Sequence, residues 1–251
     1  MTTESGHHTS GGLGVAATLA ATAGFVDAFL FTRVTPVFVA NMSGNLVRLG
    51  IATGNHDGRG VAAPTVALAG FVGGAMLAMS LIDLHVRRDR APTGAPLLAL
   101  EAVLLVLLPI VMTAADIAFS SSIQPIDYLV VVIGSTAMGM QAVALRRVGQ
   151  VAVSTTYGTG AVVRLGEKLA LGLRRAARPD ELRRRVTIAI LGIVLVSYVA
   201  GAAFATLLGD SPWLLLIPAS VPACAAVGSS RRGAEPGMDD DDRATRTFDD
   251  G

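Results

Sequence analysis

The sequence has few of the residues that build catalytic or metal centres in soluble proteins. Its single cysteine, Cys224, excludes an intrachain disulfide and a cysteine-based metal cluster. Its four histidines, at positions 7, 8, 56 and 85, lie in the N-terminal tail or beside the ends of apolar segments. Charged residues are also scarce, at 16% of the chain, whereas soluble domains contain about 25%. The composition therefore points away from a soluble protein and from a buried histidine site.

Long apolar segments take the place of the missing charge. Hydrophobic residues make up 52% of the 251 residues, and the mean hydropathy is +0.58. A helix of about 20 apolar residues crosses a hydrocarbon core of ~30 Å. Six segments meet this criterion, at 13–32, 62–84, 96–118, 126–145, 186–208 and 211–228. The sequence therefore predicts an all-α, polytopic membrane protein in a lipid bilayer, with a transmembrane domain over 13–228.

Polar segments flank this domain on both sides. Residues 1–12 are rich in Ser, Thr, Gly and His, and residues 229–251 carry many charges without hydrophobic periodicity. Such compositions bury too little apolar surface to fold. We expect a disordered N-terminal tail and a charged, disordered C-terminal tail.

The basic residues predict the orientation of the spans. They cluster after the second, fourth and sixth spans and before the fifth, at Arg87, Arg88, Arg90, Arg146, Arg147, 174–185, Arg231 and Arg232. Cytoplasmic loops are enriched in Lys and Arg, so both termini are expected in the cytoplasm. This arrangement requires that two further apolar segments, 37–54 and 151–172, enter and leave the membrane on the same side. Because Gly, Ser, Thr and Asn interrupt them, we interpret both as re-entrant broken helices.

The two interrupted segments belong to an internal repeat. Residues 26–40 align with 140–154, and residues 43–50 align with 159–166. The matched pairs include Asp27 with Gln141, Arg33 with Arg147, Ser43 with Thr159, Gly44 with Gly160, and Arg48 with Arg164. Each repeat, about 13–118 and about 126–228, holds three spans and one re-entrant segment. Because three is odd, the second repeat enters the membrane upside down, as an inverted 3+3 repeat typical of secondary transporters.

The interrupted segments predict a site near the middle of the membrane. Ser43 and Thr159 are good N-cap residues, so each segment is expected to turn at Gly44 or Gly160 and to continue as a half-helix. Helix N-termini attract anionic and oxygen-rich groups. The candidate substrate-binding residues are Asp27, Asn41, Ser43, Gly44, Asn45, Arg48, Gln141, Thr155, Thr159, Gly160 and Arg164. No catalytic residue, metal site or cofactor is predicted.

Each candidate also has a structural interpretation. Arg48 and Arg164 attract an anion or extend to lipid headgroups, and Asn41 and Asn45 bind a ligand or satisfy the broken backbone. Asp27 serves proton or cation binding, or it pairs with Arg33 or caps the re-entrant backbone.

Other polar and small residues within the spans have simpler interpretations. Glu101 lies about one turn inside the third span and is expected to reach the cytoplasmic surface. Small residues recur every four positions in the first two spans, at Ala16, Ala20, Gly24, Ala28, Gly70 and Gly74. Such stripes predict internal helix contacts, with homo-oligomerisation as the alternative.

Three motifs resemble the YoaK family of bacterial integral membrane proteins, a domain of unknown function. They are a G-[YF]-x-D-A motif at Gly24–Ala28, an F-x-A-N-M-[ST]-G-N motif at Phe38–Asn45, and a T-T-x-x-T-G motif at Thr155–Gly160. Ser43 stands where Thr is frequent, which preserves the hydroxyl. The resemblance covers about 13–228 and implies a six-span protein of the inner membrane, but it implies no substrate.

Three functions compete. The first is a small secondary transporter or permease for a small polar or anionic solute. The second, an enzyme, is disfavoured: "NMSGN" lacks the first glycine of G-x-S-x-G, and no histidine is available at membrane depth as a base. The third is a non-transporting membrane partner or sensor, whose basic 174–185 loop contacts anionic lipid or another protein. No nucleic-acid partner is predicted.

Overall fold

The computed structural model describes residues 4–87, 94–115, 124–148, 159–173 and 181–232. These residues form eight α-helices and no strand. The helices are α1 (Glu4–Arg33), α2 (Met42–Gly54), α3 (Gly58–Arg87), α4 (Ala95–Ala114), α5 (Pro125–Val148), α6 (Thr159–Leu173), α7 (Glu181–Leu207) and α8 (Leu216–Arg232). A 3-10 turn, Pro212–Leu215, leads into α8. The predicted all-α class is confirmed.

Five helices contain segments that are long and apolar enough to cross a bilayer. They are Leu13–Arg33, Gly58–Arg87, Ala95–Ala114, Pro125–Leu145 and Arg185–Leu207, close to five of the six predicted spans. The sixth segment, Pro212–Gly228, is shorter, although its 3-10 turn rises faster per residue and brings its length to about 27 Å. The protein is a multi-pass membrane protein, and the sixth crossing stays a prediction.

The two predicted tails differ in whether the structure describes them. Residues 4–12, where the sequence predicts a disordered tail, form the first turns of α1, and the apolar part of α1 begins at Leu13. Residues 233–251, most of the predicted charged tail, lie outside the described residues.

Two helices are too short to span the membrane. α2 has 13 residues and α6 has 15, which correspond to about 20 and 22 Å against a ~30 Å core. α1 ends at Arg33, and residues 34–41 are non-helical before α2 begins. This stretch, here called the break, agrees with the extended entry predicted for segment 37–54, but the rest of that segment is one continuous helix. Residues 149–158, which precede α6, lie outside the described residues.

The long helices pair across the two halves of the chain. α1 packs most extensively on α7, α3 packs most extensively on α5, and α4 lies against both α5 and α8. Each short helix lies on the long helix that follows it, α2 on α3 and α6 on α7. Neither half therefore forms its core alone.

Glycines bring the paired helices into backbone contact. A Cβ at Gly24 of α1 would overlap the carbonyl of Tyr198 on α7, and one at Gly201 of α7 would overlap a carbonyl of α1. The α3–α5 pair is built in the same way by Gly74 and Gly139. Small residues allow this close approach, and the resulting packing holds membrane helices together. The prediction that Gly24 and Gly74 make internal contacts is confirmed.

The buried apolar side chains form two main clusters. One, here called the Phe29 cluster, includes residues of the break and the ends of α1, α4 and α5 nearest to it. The other, the Leu19 cluster, includes residues from α1, α3, α4, α5 and α8. Outside them, large apolar side chains such as Met76, Val196 and Leu207 are exposed, as expected for helices that face lipid.

Candidate functional site

Asp27 is the centre of the polar contacts around the break. Its side chain is 2% exposed and lies about 9 Å before the end of α1. Its Oδ1 accepts hydrogen bonds from the backbone N–H groups of Val39 (2.6 Å) and Ala40 (2.7 Å). Its Oδ2 accepts from the N–H of Asn41 (3.0 Å) and from the hydroxyl of Tyr198 (2.5 Å) on α7. One carboxylate thus joins α1, the break and α7.

Asn45, on the first turns of α2, holds the other side of the break. Its Oδ1 accepts from the N–H of Phe38 (2.9 Å), and its Nδ2 donates to the carbonyl of Phe38 (2.6 Å). The side chain is 0% exposed. Unpaired backbone groups at membrane depth cost several kcal/mol each, so these two bonds stabilise the non-helical conformation. Of the two roles weighed for Asn45, the contacts correspond to satisfying the backbone.

The start of α2 differs from the prediction. Asn41 is the N-cap: its Oδ1 accepts from the N–H of Gly44 (3.4 Å) and from the hydroxyl of Ser43 (2.7 Å). Ser43 lies inside the helix, so its prediction as the cap is wrong. Asparagine caps helices as well as serine does, and Asp27 holds the N–H of Asn41 at the end of the break.

The predicted turn at Gly44 is also wrong, because Gly44 is helical. Its missing side chain is needed for another reason: a Cβ there would lie 2.7 Å from the ring of Phe38. That ring stacks on Phe31 of α1 with centroids 4.6 Å apart, and the guanidinium of Arg48 lies 5.7 Å from the Phe31 centroid. Arg48 therefore packs over the aromatic pair beside the break. Its buried Nε has no hydrogen-bond partner within the described residues.

Arg33 does not pair with Asp27. Its Nε donates to Asp210 Oδ1 at 2.9 Å, and its guanidinium lies 4.8 Å from the Phe29 ring centroid. Of the two structural roles weighed for Asp27, the contacts therefore correspond to capping the backbone, here that of the break.

The second-half candidates lie apart from the break. Gln141 donates from Nε2 to the carbonyl of Leu19 on α1 (2.6 Å), about 12 Å along the helix from Asp27. Thr155 and the side chain of Thr159 lie outside the described residues. Thr159 was predicted as the N-cap, and its backbone is the first residue of α6. Gly160 is partly buried and Arg164 is exposed. No extensive contact joins α2 and α6 in the part of the chain that the structure describes.

The arrangement at the break is an anion site that the protein fills itself. Three N–H groups of the break, and not those of a half-helix N-terminus, converge on one position, and the Asp27 carboxylate occupies it. Tyr198 was missed by sequence reasoning because nothing in the apolar α7 segment links it to Asp27.

Glu101 also differs from its prediction. Its side chain is 0% exposed, and neither carboxylate oxygen has a hydrogen-bond partner among the described residues. It therefore does not reach the surface, and the helix that carries it packs against α5 and α8. Among the same residues, no group of three or more His, Cys, Asp or Glu side chains is placed to hold a metal ion.

Comparisons with known proteins agree with the fold. The family described as "Protein of unknown function (DUF1275)" matches residues 15–228. The "UPF0700 transmembrane protein YoaK" of Bacillus subtilis (strain 168) is 30% identical over 184 residues, which cover 73% of this chain and 78% of that protein. No solved structure matches the chain. The chain therefore belongs to the YoaK family, DUF1275, of multi-pass membrane proteins.

Proposed function

We propose that the protein is a small secondary transporter or permease for a small polar or anionic solute. The observation that carries the proposal is the break itself, where three backbone N–H groups converge on Asp27 within the first span. Non-helical backbone at membrane depth is tolerated where protein or a cavity satisfies it, and secondary transporters use such breaks as binding sites. We also propose that the protein has no catalytic activity.

The proposed architecture is an inverted repeat in the bacterial inner membrane, with both termini in the cytoplasm. In the proposed repeat, α1 corresponds to α5 and α3 corresponds to α7. The α1–α7 pair then becomes the α5–α3 pair, and these are the two most extensive helix contacts. Each is closed by a glycine on either helix, Gly24 with Gly201 and Gly139 with Gly74. The placement of α2 on α3 and α6 on α7 follows the same exchange.

The proposed site has two sides, which lie apart from each other in the described structure. On the first side it comprises Asp27, Asn41, Ser43, Gly44, Asn45 and Arg48, and on the second side it comprises Gln141, Thr155, Thr159, Gly160 and Arg164. An anionic group that reaches the break competes with Asp27 for the three N–H groups. Displacing Asp27 also releases Tyr198, which ties the break to α7. Solute binding is thereby coupled to the contact between the two halves of the chain.

The test is uptake by purified protein in liposomes, screened against a panel of small carboxylates and phosphates. We expect specific uptake of at least one compound, abolished by Asp27→Asn and weakened by Arg48→Ala. The control is Asp83→Asn, because Asp83 is exposed and pairs only locally with Arg87. Uptake that both site variants leave untouched would contradict the site. Absence of uptake across the panel would contradict transport and favour the non-transporting partner or sensor.

A further inference from the structure

Three buried polar side chains lie near the level at which the two apolar clusters meet. On α4, Leu98 belongs to the Leu19 cluster and Leu105 to the Phe29 cluster. Glu101 lies between them, one turn from each, and is fully buried. The carboxyl group therefore lies where the two apolar clusters meet, inside the helix bundle.

Two more buried polar side chains lie at the same boundary. On α1, Thr22 lies between Leu19 of one cluster and Ala23 of the other. On α5, Gln141 follows Met140 of the Leu19 cluster and donates its amide N–H to the Leu19 carbonyl. Thr22 is 2% exposed and Gln141 is 1% exposed. Together with Glu101, these two side chains are called the polar layer below.

The polar layer contains buried oxygens that lack hydrogen-bond partners. Within the described residues, Thr22 Oγ1, Gln141 Oε1 and both carboxylate oxygens of Glu101 are unpaired. Amide and carboxylate oxygens only accept hydrogen bonds. Leaving buried polar groups unpaired is costly, and an isolated buried carboxylate is costlier still. Such a set of acceptors calls for an electropositive partner.

α8 contains a backbone carbonyl near this level that lacks its usual helical donor. Pro222 is buried and lies between Ala219 of the Phe29 cluster and Ala226 of the Leu19 cluster. Proline has no N–H, so the carbonyl of Pro218 has no i+4 donor. α8 packs on α4, the helix that carries Glu101.

The other ionisable groups near α4 lie toward helix ends or on the surface. Those on the packed helices α5 and α8 are Asp127, Tyr128, Arg146, Arg147, Cys224, Arg231 and Arg232. The 3-10 turn has no ionisable group. On α1, Asp27 lies five residues after Thr22. Cys224 is exposed, and Asp127 is about 21 Å along α5 from Gln141. Among the described side chains, Glu101 is the ionisable group of the polar layer.

We propose that Glu101, with Gln141 and Thr22, binds the monovalent cation, a proton or Na⁺, that drives the transport cycle. A bound proton converts one carboxylate oxygen of Glu101 into a donor, and Na⁺ is coordinated directly by the layer's oxygens. Asp27, the acid that the sequence favours for this role, already accepts four hydrogen bonds. The coupling role rests on the proposed transport function, whereas the cation binding does not.

The binding test uses the full-length protein in liposomes without any solute. Infrared spectra of the wild type in potassium buffer should contain the C=O stretch of a protonated, buried carboxylic acid. We expect Glu101→Gln to remove this band and Asp27→Asn to retain it. If Na⁺ is the ion, replacing KCl with NaCl at equal ionic strength removes the band and raises the Tm, and Glu101→Gln abolishes both effects.

Two milder variants keep the test decisive if Glu101→Gln folds poorly. Thr22→Val and Gln141→Leu each remove one neutral ligand and should weaken the response, about fivefold in Na⁺ concentration for the sodium case. For the proton case, each should shift the infrared band. Spectra and ion responses that are the same in wild type and all three layer variants would overturn the proposal.

Failure of coupling and failure of transport give different results. If liposomes take up a panel compound and a proton or Na⁺ gradient accelerates wild type and Glu101→Gln equally, the coupling role is overturned while transport stands. If the band or Na⁺ response depends on Glu101 but no compound is taken up, transport is overturned while the cation site stands.

Discussion

Removing the Asp27 carboxylate should destabilise the break more than any other single change there. Asp27→Ala leaves the N–H groups of Val39, Ala40 and Asn41 without their acceptor. Each buried unsatisfied donor costs about 1–3 kcal/mol, so the expected loss is roughly 3–9 kcal/mol. Native domains are stable by about 5–15 kcal/mol. The loss is therefore a large fraction of the stability that a typical domain has.

Asp27→Asn separates geometry from charge. Its carbonyl oxygen can still accept from Val39 and Ala40, but its NH₂ group faces the N–H of Asn41 and must turn to the Tyr198 oxygen. We expect a loss of about 1–3 kcal/mol, from one orphaned donor. Asp27→Ala should therefore be clearly less stable than Asp27→Asn.

The assay is thermal unfolding in detergent, followed by the fraction that stays monodisperse in size-exclusion chromatography. At ~2–4 °C per kcal/mol for a chain of this size, Asp27→Ala should lower the Tm by roughly 6 °C or more. Hydrogen–deuterium exchange should speed up at residues 39–41 in both variants, whereas Asp83→Ala should change neither readout. An Asp27→Ala protein that melts like wild type, with unchanged exchange at residues 39–41, would refute this account of the break.

Three other predictions concern the break, the contact between α3 and α5, and the topology. Asn45→Ala should lower the Tm in detergent, since it orphans two buried backbone groups at a cost of roughly 2–6 kcal/mol; an unchanged Tm would mean that water replaces the side chain. Gly139→Ala should reduce the yield of monodisperse protein because its Cβ overlaps a backbone carbonyl of α3, whereas Gly192→Ala, with open space around it, should not. In a background without the native cysteine, a cysteine at Gly58 should react with an impermeant reagent from outside and one at Ala176 only from inside. Labelling of both from one side would overturn the inverted repeat.

The existence of the first break was predictable from the sequence, but its cap was not. The serine, glycine and asparagine on which the prediction depended, at residues 43–45, lie in the first turns of α2, and the break lies just before them, at residues 34–41. Asn41 and Ser43 both have side chains that cap helices, and local sequence does not rank them. The choice depends on Asp27, which holds the N–H of Asn41 from another helix.

The partners of the buried acids were not predictable because they are distant in sequence. Tyr198 lies 171 residues from Asp27, in a segment whose composition indicates only a span. Glu101 lies near the end of its span, where a long acidic side chain ordinarily reaches water. Its burial depends on how α4 packs with other helices, among them α5 and α8, and hydropathy does not report such packing.

The pairing of α1 with α7 has a consequence for how the protein is made. Asp27 is synthesised 171 residues before Tyr198. Gly24, which packs against Tyr198 of α7, is also made long before its partner. At about 5–20 residues per second, translation of that interval takes roughly 10–35 s. During this time α1 lies in the membrane with an acidic side chain whose final partner does not yet exist. The local N–H groups of the break, made within a few seconds, are then the earliest permanent partners that the chain supplies to this carboxylate.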